Sequence, residues 1–236
     1  MLRLKIIKEK KFLKKLYNEF YSMILKELPA DYNAPILEIG SGGGFLKEYI
    51  PGLLTSEILM IKDVDTVLDA RNIPFKENSL SGIVMLNVFH HIPSINSFLK
   101  QASFCIKQKG LLVMIEPWVS PWSEFVYKHL HHEPFDPETK EWSLTKDDSP
   151  LSHANSALPW IVFERDKDVF EQKYPNWKIK NLTLHTPFCY ILSGGVSMRS
   201  FMPGWLFKFF HGLEKSTAFW NKYLAMFALI VLEKRR

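Results

Sequence analysis

Cysteine is scarce: the 236-residue chain has two, Cys105 and Cys189, far apart and without a CxxC pair. That argues against a disulfide scaffold or a zinc ribbon, and a reducing, cytoplasmic compartment is expected. Long apolar runs are also missing. The terminal stretch Tyr223–Leu232 is ten residues, too short to cross a bilayer as a helix. The start, Met1-Leu-Arg-Leu-Lys-Ile-Ile-Lys-Glu-Lys-Lys, lacks the uninterrupted apolar core of a signal peptide. There is no internal repeat and no low-complexity tract. What remains is a chain with 47% hydrophobic residues, enough for one substantial core in one domain with decorations.

Charge is uneven. Residues 1–30 carry eight Lys/Arg against three acids and residues 197–236 carry seven against two, so each end is +5 and the middle is −5. Near the amino end, Phe12, Leu16, Phe20, Met23, Ile24 and Leu28 follow a helical period that Pro29 would end. Residues 1–34 are expected to form an amphipathic helix capping the site, with 35–236 as the main domain. Within the basic carboxyl region, 201–223 interleaves Phe201, Trp205, Phe207, Phe209, Phe210, Phe219, Trp220 and Tyr223 with Lys208, Lys215 and Lys222. Such a segment suits a peripheral contact at an anionic membrane face or a lipid-like acceptor. It could also stack nucleobases, or form a lid or dimer surface. Apolar runs at 35–39, 53–60, 82–88, 110–115 and 224–232 alternate with helical stretches. That pattern predicts an α/β fold with a mostly parallel sheet.

At residues 36–44, Ile-Leu-Glu38-Ile-Gly40-Ser41-Gly42-Gly43-Gly44, a strand ends in an acid and breaks into glycines, with a helical segment expected over 45–50. Glycine allows positive φ and close approach of backbone to ligand. A phosphate loop has little use for the carboxylate of Glu38; a cationic or hydroxyl-bearing ligand does. The dinucleotide spacing G-x-G-x-x-G fails, because its third glycine would fall on Phe45 or Lys47. The spacing Glu-x-Gly-x-Gly-x-Gly resembles the first motif of class I S-adenosylmethionine (SAM) dependent methyltransferases. Residues 66–92, with Asp69-Ala70, Pro74-Phe75, Asn78-Ser79, Asn87 and His90-His91-Ile92, look like the later region of the same family in its type 11 branch.

The resemblance covers roughly residues 35–120. It implies a Rossmann-like methyltransferase fold, with a seven-stranded, mostly parallel sheet and helices on both faces. It also implies SAM as cofactor, held by Glu38, Gly40, Ser41, Gly42, Gly44 and Asn87 at the methionine end. Asp69 and the Ala70 N–H would take the adenine. Glu57 would take the ribose hydroxyls, with Asp63 or Asp65 as alternatives. Eleven residues separate Glu57 from Asp69, too few for the helix that normally links these strands.

Acceptor-side insertions are expected at about 118–160 and 187–222. In the first, His129-Leu-His131-His132-Glu133-Pro-Phe-Asp136 concentrates imidazoles. Its spacing matches no zinc pattern, and adjacent His131 and His132 would point apart in a helix or strand, so no metal is expected. His131 and His132 are candidate general bases, as is Glu116 at the end of the fifth strand. His90 and His91 are read as structural. The Asn/Asp-Pro-Pro-aromatic box of exocyclic-amine methylation is absent, and neither cysteine sits in a Pro-Cys context. The expected function is methyl transfer to oxygen of a small-molecule or lipid- or sugar-linked acceptor. The alternatives are a catalytically silent scaffold subunit and, less favoured, an RNA methyltransferase.

Overall fold

A computed structural model describes residues 2–29, 32–144 and 154–235. Part of the 118–160 insertion, residues 145–153, lies outside the described residues. Seven strands form one sheet: β1 (Ile36–Ile39), β2 (Leu54–Glu57), β3 (Thr66–Val67), β4 (Leu80–Leu86), β5 (Ile106–Pro117), β6 (Trp177–His185) and β7 (Phe227–Lys234). Their spatial order is β3-β2-β1-β4-β5-β7-β6. Strands β1 to β5 are parallel, and β7 runs antiparallel between β5 and β6. The chain reverses direction on either side of β1, and the crevice there, at the carboxyl ends of β1, β2 and β4, is where open α/β sheets bind ligands.

Alternation of side chains puts the central strands into two cores. Ile83 and Met85 of β4, Leu112 and Met114 of β5, and Ile230 and Leu232 of β7 face one. Val84, Val113, Ile115, Leu229 and Val231 face the other. The first core is closed by α3 (Ile95–Cys105), the short α5 (Leu158–Trp160) and α6 (Lys167–Lys173). The second is closed by α1 (Leu2–Glu9), α2 (Lys11–Glu27), α4 (Pro121–His129), α7 (Cys189–Ser193) and α8 (Phe207–Ser216); α9 (Asn221–Leu224) leads into β7. Helices therefore cover both faces.

Helix starts follow local chemistry. Ser120 Oγ accepts from Ser123 N–H while Ser123 Oγ accepts from Ser120 N–H, a reciprocal cap with Pro121 in the first turn of α4. Three expectations differ. The segment after the glycine loop makes only a 3-10 turn, Leu46–Glu48, because Pro51-Gly52 closes it before a full helix can form. The run at 224–232 starts as α9 and becomes strand at Phe227. Strand β6 was not anticipated, because Lys178, Lys180 and Asn181 break its apolar pattern. As anticipated, no helix joins β2 to β3. Among the described residues no helix is long and apolar enough to cross a membrane.

Candidate active site

A cleft of about 470 Å3 opens at the carboxyl ends of β1, β2 and β4. The glycine loop forms its floor. Gly40 and Gly42 have φ of 69° and 48°, a region side chains rarely adopt. A Cβ on Gly40 would lie 2.4 Å from Val88 Cγ2, and one on Gly43 would lie 2.6 Å from Arg3 Cβ. The loop is held by Ser41 N–H donating to Ser56 O (2.9 Å) and Gly44 N–H to Ser41 O (2.7 Å). Arg3 and Ile7 of α1 and Tyr17 and Tyr21 of α2 line the same cleft, so the amino-terminal helices close over it.

Three carboxylates face this space: Glu38, Glu57 and Asp69. Burial pushes the Glu38 carboxyl up to about 7, a hydrogen bond from Ser41 opposes that, and the nearby charge of Glu57 adds to it. Glu57 stands at the tip of β2 and accepts from Gly42 N–H at 2.7 Å. Asp63 and Asp65 do not line the cleft; Asp65 accepts from Thr55 N–H and Lys47 instead. Asp69 is paired with Arg71, whose Nη2 lies 2.6 Å from Oδ2, and Arg71 holds its carboxyl below the usual range. An adenine amino group would compete with that guanidinium. Ala70 lies beside Asp69 in the lining.

Asn87 carries the observation that bears most on the ligand. It is left-handed (φ 56°), its N–H donates to Ile115 O, and its Oδ1 is buried with no hydrogen-bond partner among the described residues. A buried acceptor without a donor costs about 1–3 kcal/mol. In a cleft lined by carboxylates it fits a ligand with a cationic amino group, and disfavours a phosphate. The residues present thus fit the methionine and ribose parts of SAM.

The acceptor side is built from irregular chain. A second cavity of about 380 Å3 is lined by Val126, Leu130, Tyr190 and Ile191, and by residues 194–198. His132 and Val196 line both spaces, joining them, while His131 lines only the second. The two histidines do not point apart, because α4 ends at His129; their rings stack with centroids 4.8 Å apart. Glu116 reaches neither cavity. It is fully buried behind the loop after β4, with Oε1 accepting from Val88 and Phe89 N–H (both 2.8 Å) and Oε2 2.6 Å from His90 Nδ1. Both of its oxygens are thus engaged in holding the turn after β4 and the His90 ring.

The sequence reading takes His90 as structural and gives Glu133 no role. His90 is buried with its ring between Glu116 and Glu133; Nε2 is 3.4 Å from Glu133 Oε2. Burial pushes His90 down, but the two carboxylates outweigh it and hold it up at about 9. Burial pushes Glu133 up, and His90, His91 and His131 outweigh that, holding it at about 2. The signals in the sequence are the His90-His91 pair and the position of Glu133 beside the second histidine cluster.

The methyltransferase domain family matches residues 37–114. No curated protein sequence matches the chain. Among solved structures, a candidate methyltransferase from Bacillus halodurans C-125 shares 14% identity at TM-score 0.51, covering 92% of this chain and 99% of its own. Geranyl diphosphate C-methyltransferase from Streptomyces coelicolor A3(2), in complex with Mg2+, geranyl diphosphate and S-adenosyl-L-homocysteine, shares 13% at 0.53, covering 98% and 83%. A candidate methyltransferase in complex with the Haloferax volcanii activator Trm112 shares 10% at 0.55, covering 99% and 93%. At these identities the likeness is one of fold.

Proposed function

We propose that this chain, whose residues 37–114 match the methyltransferase domain family, transfers a methyl group from SAM to an oxygen of a small or lipid-linked, largely apolar acceptor. The unsatisfied Asn87 Oδ1 in a carboxylate-lined cleft at the sheet's carboxyl edge carries the cofactor half of this reading. The apolar second cavity joined to it through His132 supports the acceptor half.

When bound, SAM supplies an electrophilic methyl group on a sulfonium sulfur, so the protein's work is alignment and exclusion of water. Glu38 and Asn87 would hold the amino group, Glu57 the ribose hydroxyls, and Asp69 with the Ala70 N–H the adenine. Arg3 and Ile7 of α1 line the cleft beside the glycine loop. His132, at the junction of the two spaces, would take the proton from the acceptor oxygen.

Calorimetric titration with SAM tests this. Micromolar binding is expected at pH 8. A cationic ligand favours ionised Glu38, so affinity is fully present above the raised value of about 7 and is lost as pH falls through it. The loss is up to about tenfold per unit. No binding by the folded protein would leave a scaffold role as the better reading.

The lipid-linked acceptor is favoured by the division of 201–223. Phe207 turns inward, edge-on to Phe12 at 5.2 Å, while Trp205, Phe209 and Phe219 are 75%, 60% and 73% exposed beside Lys208, Lys215 and Lys222. The protein should co-sediment with phosphatidylglycerol vesicles and not with phosphatidylcholine, less so at high salt. Each large apolar side chain withdrawn from water is worth about 1.5–3 kcal/mol, so Trp205→Ala with Phe209→Ala should weaken binding at least ~10-fold. Equal pelleting of the double variant would point to a lid or dimer surface.

A further inference from the structure

Two imidazoles and a carboxylate from separate parts of the chain converge at the acceptor edge of the cleft. His90 and His91 sit in the 3-10 turn after β4, and Glu133 follows α4; their ligand atoms all lie within 4.8 Å of one another. We propose that His90, His91 and Glu133 bind a divalent transition-metal ion whose remaining coordination positions face the acceptor.

The distances carry the argument. His90 Nε2 is 3.4 Å from Glu133 Oε2, and His91 Nε2 is 3.7 Å from Glu133 Oε1. Charge-assisted hydrogen bonds are shorter, about 2.7–2.9 Å. Two ligand atoms each about 2.1 Å from one ion lie roughly 3.0–3.5 Å apart at tetrahedral or octahedral angles. His90 and Glu133 stand at that spacing, and His91, at 3.7 Å, needs only a small inward movement to share an ion with them.

The support behind the ligands points the same way. Glu116 Oε2 lies 2.6 Å from His90 Nδ1, so the proton on that nitrogen is fixed and Nε2 is directed at Glu133. A carboxylate behind a histidine is the usual means of orienting a metal ligand. The other oxygen of Glu116 binds the Val88 and Phe89 N–H groups, fixing the turn that carries both histidines. His91 and Glu133 line the cleft beside His132, so among the described residues the site faces the cleft on that side. Three protein ligands with open positions are the pattern of a catalytic site, not a structural one. Two imidazoles and one carboxylate suit zinc, iron(II) or cobalt better than magnesium or calcium.

An acceptor hydroxyl bound at the ion would lose its proton more easily. The proton would pass to His132, the oxygen would form a bond to the methyl carbon, and the carbon–sulfur bond would break with its electron pair left on sulfur. This use of the metal rests on the proposed methyl transfer; the binding of metal does not.

The test is titration of EDTA-treated full-length protein with Co2+, read by its visible absorption, followed by displacement with Zn2+. One equivalent is expected to bind, with affinity at least about tenfold lower in Glu133→Gln and in His91→Ala. Circular dichroism on each variant checks the fold. Absence of a Co2+ band in the wild type, or equal affinity in the wild type and both variants, overturns the site. SAM titration of the same metal-free wild type reports on the cofactor reading separately.

Discussion

Gly42→Val is expected to lower SAM affinity by at least about 100-fold while leaving the protein folded. At φ 48° a β-branched residue is strained, and single-residue strain of this kind is worth of order 1–3 kcal/mol. The added Cβ would also lie 3.3 Å from Glu57 Oε1, the oxygen that accepts the Gly42 N–H at 2.7 Å. The valine methyls extend beyond that Cβ, so either Glu57 leaves the loop or the loop lifts into the cleft. Both disturb the groups proposed to hold the methionine and ribose ends. For a chain of this size the strain should lower Tm by only about 2–12 °C. Gly212→Ala is the matched control: it lies in α8, a Cβ there meets nothing within 4 Å, and helix propensity favours alanine. Calorimetry on both variants checks the prediction, and wild-type affinity in Gly42→Val would show that the loop does not hold the ligand.

Local signals explain what the sequence revealed of this fold. The strand at 36–39 and the glycine turn after it were legible because both are set by neighbouring residues, a buried apolar run and a backbone that needs positive φ. The missing helix between β2 and β3 was legible from chain length alone. Strand β6 was not, because an edge strand with one face in water loses the apolar run and keeps only a weak alternation. The helix expected over 45–50 has the right composition, but Pro51-Gly52 and the packing of Tyr21 on Phe45 leave room for one 3-10 turn.

The site divides in the same way. Glu38, Glu57, Asp69 and Asn87 each lie at or near the carboxyl end of a strand, so their convergence follows once the strands are ordered. What could not be read is pairing across distance. Arg71 occupying Asp69 depends on a side-chain orientation. The meeting of His90 and Glu133 joins segments 43 positions apart, brought together by the turn after β4 and the end of α4. Glu116 shows the limit most sharply. At the carboxyl end of a central strand it has the address of a catalytic base, and only its contacts reveal that both oxygens are already engaged.

Glu116→Ala should therefore be the most destabilising single change in this region, by about 3–5 kcal/mol, which for a chain of this length lowers Tm by roughly 6–20 °C. The side chain is fully buried, and its removal leaves the Val88 and Phe89 N–H groups and His90 Nδ1 without their acceptor. Glu116→Gln separates the contributions. The amide oxygen can still accept both backbone N–H groups, so the turn after β4 should survive. Its amide nitrogen can only donate, so His90 Nδ1 must give up its proton and the ring is left neutral, with its remaining proton on Nε2 facing Glu133. Glutamine is thus expected to recover more than half of the lost stability while changing the histidine's protonation, visible in the imidazole 15N shifts. Thermal and urea unfolding followed by circular dichroism checks the ranking. A Glu116→Ala protein within about 1 kcal/mol of wild type would mean that water or a shifted side chain replaces the carboxylate, and that Glu116 does not hold the turn on which His90 and His91 depend.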